Sequence, residues 1–186
     1  MDKPGASCFE ELQSERLLLR RFQDSDLKNF LAYSNDPEVA RYQLWESFTE
    51  KEARGQIEAQ KNFEFGVTGK WFLYAVELKA SGVLAGHVAL KMLDDQQAEI
   101  GFTLAREYQG QGLAFEASSC VVNDVFDRLG LHRLIAVADC ENQKSLALLA
   151  RLGMRREGHF IQNIWFKGRW GDEYSYAILR AEWMRQ

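Results

Sequence analysis

Cysteine and histidine are both scarce in this sequence. Cys8, Cys120 and Cys140 form an odd, scattered set, and His87, His132 and His159 are equally dispersed. Neither set has the spacing of a zinc site, so no metal is expected, and an odd number of distant thiols argues against a disulfide framework. Free thiols point to a reducing cytoplasm. Long apolar runs are missing too. No segment reaches the roughly 20 residues that span a bilayer, and Met1-Asp2-Lys3-Pro4-Gly5 lacks the apolar stretch of a secretion signal. No membrane role is expected. Nor is there a basic excess. The formal net charge is −4, and the densest basic cluster is only Arg151, Arg155 and Arg156. Three such charges are usually solvated surface, and a nucleic-acid footprint needs a face-long basic stripe. An acidic chain is compatible with a cationic amine as substrate.

What is present suits one domain, residues 1–186, with a core from about 14 to 183. The chain has 186 residues, of which 46% are hydrophobic and 27% charged, enough to bury a sizeable core. Glu15–Phe22 reads as a first strand. Asp24 or Ser25 offers an N-cap to a helix carrying Leu27, Phe30 and Leu31, which ends at Asn35-Asp36-Pro37. Thr49 and Glu52 make a capping box for a second helix running to about Phe63. Trp71–Leu78 and Val83–Leu90 form a hairpin across Lys79-Ala80-Ser81-Gly82, followed by a strand at Ala98–Leu104. A helix to about Gly130, a strand at His132–Ala138 and a helix from near Asn142 to Gly153 come next. The tail from Met154 to Leu179 reads as two strands joined by a turn at Lys167–Asp172. The order β-α-α-β-β-β-α-β-α-β-β predicts a mixed sheet with helices on its faces, an α+β or α/β domain.

Chemistry concentrates at Gln109-Gly110-Gln111-Gly112-Leu113-Ala114, between the Ala98–Leu104 strand and a helix with Ala114, Ala117, Ser118, Val121, Val122, Val125, Phe126 and Leu129 on one face. First-turn amides lack intrahelical partners, the helix dipole adds positive potential, and glycine lets phosphate oxygens approach the main chain. A nucleoside-triphosphate loop would need Gly-Lys-Ser/Thr, where this chain has Gly112-Leu113-Ala114. A dinucleotide fingerprint would need its third glycine at Phe115, and would sit in a first βαβ unit rather than past mid-chain. An ordinary glycine turn is the simpler alternative to a phosphate site.

Gln-x-x-Gly-x-Ala at Gln109–Ala114 resembles the coenzyme A pyrophosphate loop of the GNAT superfamily of N-acetyltransferases. Glu141–Met154, with Asn142, Ser145 and Leu152-Gly153-Met154, resembles that superfamily's Asn-x-x-Ser helix ending in Leu-Gly-Phe. Glu99-Ile100-Gly101-Phe102 is close to its Glu-Ile-Gly-Tyr strand. Ser14–Arg20 followed by Asn35-Asp36-Pro37-Glu38-Val39 is similar to the branch of Rim-type ribosomal-protein N-terminal acetyltransferases. The resemblance implies a sheet of about seven strands whose fourth and fifth, Ala98–Leu104 and His132–Ala138, splay to admit the coenzyme. It implies acetyl transfer from acetyl-coenzyme A to a primary amine. A protein N-terminal α-amine fits the branch best; a small amine such as an aminoglycoside, polyamine or amino acid is the alternative acceptor. A non-catalytic coenzyme A binding module is a further alternative. A homodimer is common in such folds, and nothing in the chain specifies one.

Under that resemblance Glu99 is the candidate general base and Ser145 the candidate partner of the leaving thiolate, by positioning more than by proton donation. Phe102 and Leu104 offer main-chain groups to the pantetheine arm. Gln109, Gly110, Gln111, Gly112, Leu113 and Ala114 meet the pyrophosphate mostly by main chain, Asn142 is a helix cap that also reaches the pantetheine amides, and Ser145 lies near the coenzyme sulfur. One departure is Leu149, where many members place a proton-donating tyrosine; the other is Met154 in place of phenylalanine. Tyr42, Trp45 and the Trp170–Tyr174 segment are candidates to border the acceptor, with core or rim packing as their commoner role.

Overall fold

The computed structural model describes residues 8–185; Met1–Gly5, read above for a secretion signal, lies outside them. Alternating apolar runs become the central meander β3 (Trp71–Leu78), β4 (Val83–Met92) and β5 (Gln97–Leu104). On one side lie β2 (Leu17–Arg20) and the two-residue β1 (Leu12–Gln13); on the other lie β6 (Arg133–Asp139), β8 (Arg169–Leu179) and β7 (Arg155–Phe166). The sheet has eight strands in the order β1-β2-β3-β4-β5-β6-β8-β7, and β5–β6 is its parallel pair. This is the expected α+β architecture with one strand more than the sequence suggested. At the N-terminus Ser14 N–H donates to the Leu17 carbonyl at 3.0 Å, which reverses the chain and shortens the strand expected over Glu15–Phe22.

Helix signals fared unevenly. The capping box holds α3 (Glu50–Lys61): the Glu52 carboxylate accepts from Thr49 N–H at 2.8 Å, and Thr49 Oγ1 accepts from Glu52 N–H at 3.3 Å. Neither Asp24 nor Ser25 caps α1 (Leu27–Ser34). A 3-10 turn over Asp24–Asp26 precedes it, and the buried Asp26 carboxylate is drawn to Arg20, with both contacts at 2.8 Å. Asp36 accepts from Glu38 N–H and starts the short α2 (Pro37–Ala40). The helix after the glycine loop, α4 (Leu113–Asn123), widens into a π turn over Asp124–Arg128. Asn142 Oδ1 accepts from Ser145 N–H at 3.2 Å and caps α5 (Gln143–Arg151); Gly153, at φ 75°, follows its end. The last hairpin turns on Lys167-Gly168 alone, at φ 47° and 79°, tighter than the six-residue turn expected.

The pleat assigns each face a core. Phe72, Tyr74, Val88, Leu90, Ile100 and Leu134 pack against Ala117, Val121, Val125 and Phe126 of α4 and Leu149 of α5. Leu73, Ala75 and Leu84, on the other face, meet Phe30 and Tyr33 of α1 and Ala53 and Ile57 of α3. Between β5 and β6 the ladder has three pairs, Gln97/Arg133, Ala98/Leu134 and Glu99/Ile135, and then stops. Beyond Glu99 the strands diverge, leaving one edge of Ile100–Leu104 without a strand partner. Gly86 keeps the outer end of β5 close to β4. It sits at φ 153°, and a Cβ there would lie 2.1 Å from the Thr103 carbonyl oxygen, which only glycine avoids.

Candidate active site

The divergence of β5 from β6 opens a cleft of about 850 Å³. One wall is the end of β5, with Phe102, Thr103 and Leu104; the other is the start of α5, with Asn142, Ser145 and Leu148. Gly110, Gly112, Ala114 and Phe115 form the floor, and Glu38, Arg41 and Tyr42 border the mouth. Gly110 and Gly112 have φ of 75° and 79°, which turns the loop sharply into α4. Among the described residues no acceptor is found for the N–H groups of Gln111, Gly112, Leu113 and Ala114. Free donors at a helix N-terminus attract an anion. Four cationic side chains, Arg41, Arg106, Lys144 and Arg151, line the cleft against the carboxylates of Glu38 and Glu141. Glu141 is committed elsewhere: Arg169 binds it at 2.7 and 3.2 Å and holds its carboxyl below the usual range. The surplus charge is positive, as a polyphosphate requires.

Most predicted site residues converge here. Phe102, Leu104, Gln109, Gly110, Gly112, Ala114, Asn142 and Ser145 all line the cleft. Gln109 works through its side chain, donating to the Leu104 carbonyl at 3.0 Å and accepting from Lys144 Nζ at 3.0 Å, which ties β5 to α5 across the opening. Leu113 turns its side chain into the core, and Gln111 donates to the Glu107 carbonyl at 2.8 Å, so each has only its main chain to offer. Leu149 is buried at 1% exposure, facing the core and away from the cleft. Tyr42 reaches the cleft, its hydroxyl donating to the Glu141 carbonyl at 3.3 Å. Trp45 instead donates to the Ser34 carbonyl and packs on Phe48, and Trp170 pairs with Trp165 on the last hairpin.

Glu99 stands apart from the lining, at the vertex where β5 leaves β6. It shares a sheet face with Gly101 and Thr103, and its carboxylate forms an ion pair with Lys91, which faces it from β4. Lys91 in turn rests over the Trp71 ring at 4.5 Å. Four residues nearer the cleft mouth, Thr103 lies opposite His87, whose Nδ1 is 2.9 Å from the Tyr33 hydroxyl. Burial lowers the His87 pKa to about 4, so the ring is neutral at pH 7. The sequence reading missed Arg106, Lys144, Phe115 and Arg151. Arg151 had a legible signal, since Ser145, Leu148 and Arg151 recur at helical spacing on one face of α5. Arg106 and Lys144 are lone surface charges in sequence, and only the folded chain brings them together. Among the described residues no group of three or more His, Cys, Asp and Glu is placed to hold a metal, and no helix is long and apolar enough to cross a membrane.

The family model of the acetyltransferase (GNAT) domain matches residues 16–155. YnaD of Bacillus subtilis, an uncharacterized N-acetyltransferase, is 34% identical over 92% of this chain and 98% of its own. A GNAT-family acetyltransferase structure from Bacillus anthracis superposes with a TM-score of 0.84 at 32% identity, covering 93% of this chain and 100% of that one. Two Escherichia coli relatives carry named acceptors. The [ribosomal protein uS5]-alanine N-acetyltransferase is 31% identical over 45% of this chain and 43% of its own. Spermidine N(1)-acetyltransferase is 25% identical over 90% of this chain and 88% of its own.

Proposed function

The chain belongs to the GNAT acetyltransferases, and we propose that it moves acetyl from acetyl-coenzyme A to the α-amine of a protein N-terminus. The observation that carries the donor assignment is the row of unpartnered amides from Gln111 to Ala114 beneath a cleft of net positive lining. These groups fit a pyrophosphate. Main-chain groups of the unpaired β5 edge and the Asn142 and Ser145 side chains fit the pantetheine arm and the sulfur. Bound there, the coenzyme supplies an acetyl thioester. The chain then has three tasks: to hold donor and amine together, to take a proton from the bound ammonium so that the free amine can attack the thioester carbonyl, and to stabilise the departing sulfur.

Proximity is the largest of these, with about 7–11 kcal/mol available from holding the reactants in line. Glu99 is the base. It lies at the inner end of the splay on the face away from α4 and is not among the residues that line the cleft, so it takes the proton through water. Lys91 holds the carboxylate in place. Ser145 orients the sulfur and Asn142 holds the arm, while the hydrophobic position of Leu149 gives no acid from the core side.

The acceptor assignment rests on the cleft mouth. A pocket built for a small polycation would present unpaired carboxylates. Here Glu141 is taken by Arg169, and Glu38 shares the lining with Arg41 and Arg106 without an ion pair to either, so the surplus charge is positive. Such a mouth suits one ammonium followed by an extended backbone. The relative acting on the uS5 alanine supports this reading over its matched part, and the spermidine enzyme supplies the rival. The test is initial-rate acetylation of peptides with free N-terminal alanine or serine beside spermidine. We expect kcat/KM for the peptides to exceed that for spermidine at least tenfold. The reverse ranking would transfer the assignment to a small amine.

A further inference from the structure

The face of β5 turned away from α4 carries Glu99, Gly101 and Thr103, opposite Lys91, Ala89 and His87 of β4. Glu99 and Lys91 pair at one end, and the middle of the row holds nothing larger than the Ala89 methyl. The backbone does not call for glycine at 101, because its φ is not positive. Packing does not call for it either: a Cβ there would meet only the Ala89 Cβ, at an ordinary contact distance of 3.8 Å. Glycine inside a strand weakens it, and commonly marks the close approach of a ligand or another backbone. Thr103 gives a second, independent sign. It is 5% exposed and lines the cleft. Ala105 N–H donates to the Ala85 carbonyl at 2.8 Å, and alternation along an antiparallel pair turns the main-chain groups of Thr103 toward β4 as well. Leu104, one residue on, points its carbonyl outward to Gln109. Thr103 therefore meets the cleft through its side chain. Its hydroxyl has no partner among the described residues. Nor is it sealed in the core, as the partnerless hydroxyls of Ser34, Tyr74, Ser118 and Ser119 are. An unpaired hydroxyl on a nearly buried residue, opening on the cleft, is set to bond a ligand.

We propose that Thr103 hydrogen-bonds the first peptide group of the acceptor, which passes over Gly101. Thr103 thereby selects an amine followed by a peptide group over one followed by a hydrocarbon chain. This role rests on the N-terminal acceptor reading above and adds the residue that does the selecting. Four residues of strand set positions 99 and 103 about 13 Å apart. Between the Glu99 carboxylate and the Thr103 hydroxyl, that length takes one water, the α-amine and the carbonyl of the same residue, joined by three hydrogen bonds of about 2.8 Å. The small floor at Gly101 and Ala89 lets the acceptor backbone lie close to the sheet along this line.

Initial rates with a peptide bearing a free N-terminal alanine, and acetyl-coenzyme A titrations on the same samples, test this in wild type, Thr103→Val, Thr103→Ser and Gly101→Ala. Thr103→Val keeps the shape without the hydroxyl. It is expected to raise the peptide KM about tenfold, the scale of one hydrogen bond, with kcat and the Kd for acetyl-coenzyme A within about twofold. Thr103→Ser keeps the hydroxyl and stays within about threefold of the wild-type KM. Gly101→Ala raises the peptide KM about fivefold while Tm holds or rises, since the backbone there accepts alanine. Affinity and stability then move in opposite directions, which a packing defect would not produce. An unchanged KM in Thr103→Val, a loss confined to kcat, or an equal rise in Thr103→Ser overturns the role of Thr103 while leaving the acceptor reading intact. An unchanged KM in Gly101→Ala overturns the path over Gly101. Wild type that acetylates spermidine and not the peptide overturns the acceptor reading and the role of Thr103 together.

Discussion

Glu99 and Lys91 face each other across β5 and β4, and their ion pair places a carboxylate where the sheet begins to open. If that carboxylate takes the amine's proton, Glu99→Gln lowers kcat about 100-fold while the Kd for acetyl-coenzyme A stays within about twofold. Steady-state rates and a binding titration on the same sample decide it; full turnover in the variant excludes Glu99 as the base. His87 makes a different kind of prediction. Its pKa falls from 6.5 to about 4 because burial disfavours the charged ring. The unfolded chain therefore takes up the proton first, so stability is complete above about 6.5 and declines as the pH drops toward 4, by roughly 3 kcal/mol. Thermal unfolding of wild type should lose Tm more steeply between pH 6.5 and 4.5 than that of His87→Gln. Parallel curves would contradict it. In sequence His87 was one of three scattered histidines, and nothing there shows Tyr33 closing on its Nδ1 from α1. Leu149 was legible as a departure, and its burial gives the physical sense: at that turn α5 faces the core.

At the level of elements, the glycine loop and α4 were the part most readable in advance. Strand, paired glycines and an apolar helix face stand in one run of sequence, and the fold keeps them in that order. Gly112 tests the link between the loop and anion binding. Its φ of 79° admits a side chain only with strain, and a Cβ would meet nothing closer than Arg16 Nη2 at 3.6 Å. Gly112→Leu should therefore cost only about 1 kcal/mol of stability while weakening acetyl-coenzyme A at least tenfold, because the leucine covers the free amides. Unchanged affinity in calorimetry would remove the loop from the site. The Thr49–Glu52 box and the Asn142 cap were also readable, since both ends of each contact lie within three residues. β1 was not, because two residues carry no periodicity and the turn at Ser14 depends on Glu116, distant in sequence. The first helix misled for a similar reason: Asp24 and Ser25 look like caps, but the buried Arg20 draws Asp26 into an ion pair and the start becomes a 3-10 turn.

For the whole molecule, the divergence of β5 and β6 after three pairs is the event that makes a site. It leaves donors along one strand edge and sets the glycine loop against α5, with Gln109 bridging the two through Leu104 and Lys144. Strand order and the splay followed from the family resemblance; periodicity alone places strands without saying where a ladder ends. The cleft mouth was outside the reach of sequence, because Arg41, Arg106, Glu141 and Arg169 come from four separate segments and only their contacts show which charges remain uncancelled. On the proposed reading, that balance favours a peptide acceptor over a small polycation. The direct measurement uses one peptide with a free N-terminal alanine and an internal lysine, incubated with the full chain and acetyl-coenzyme A, with fragment masses locating the acetyl group. A single acetyl on the α-amine is expected, with no gain of mass when that amine is blocked. Acetylation of the lysine instead, or of spermidine while the peptide stays unmodified, would contradict it.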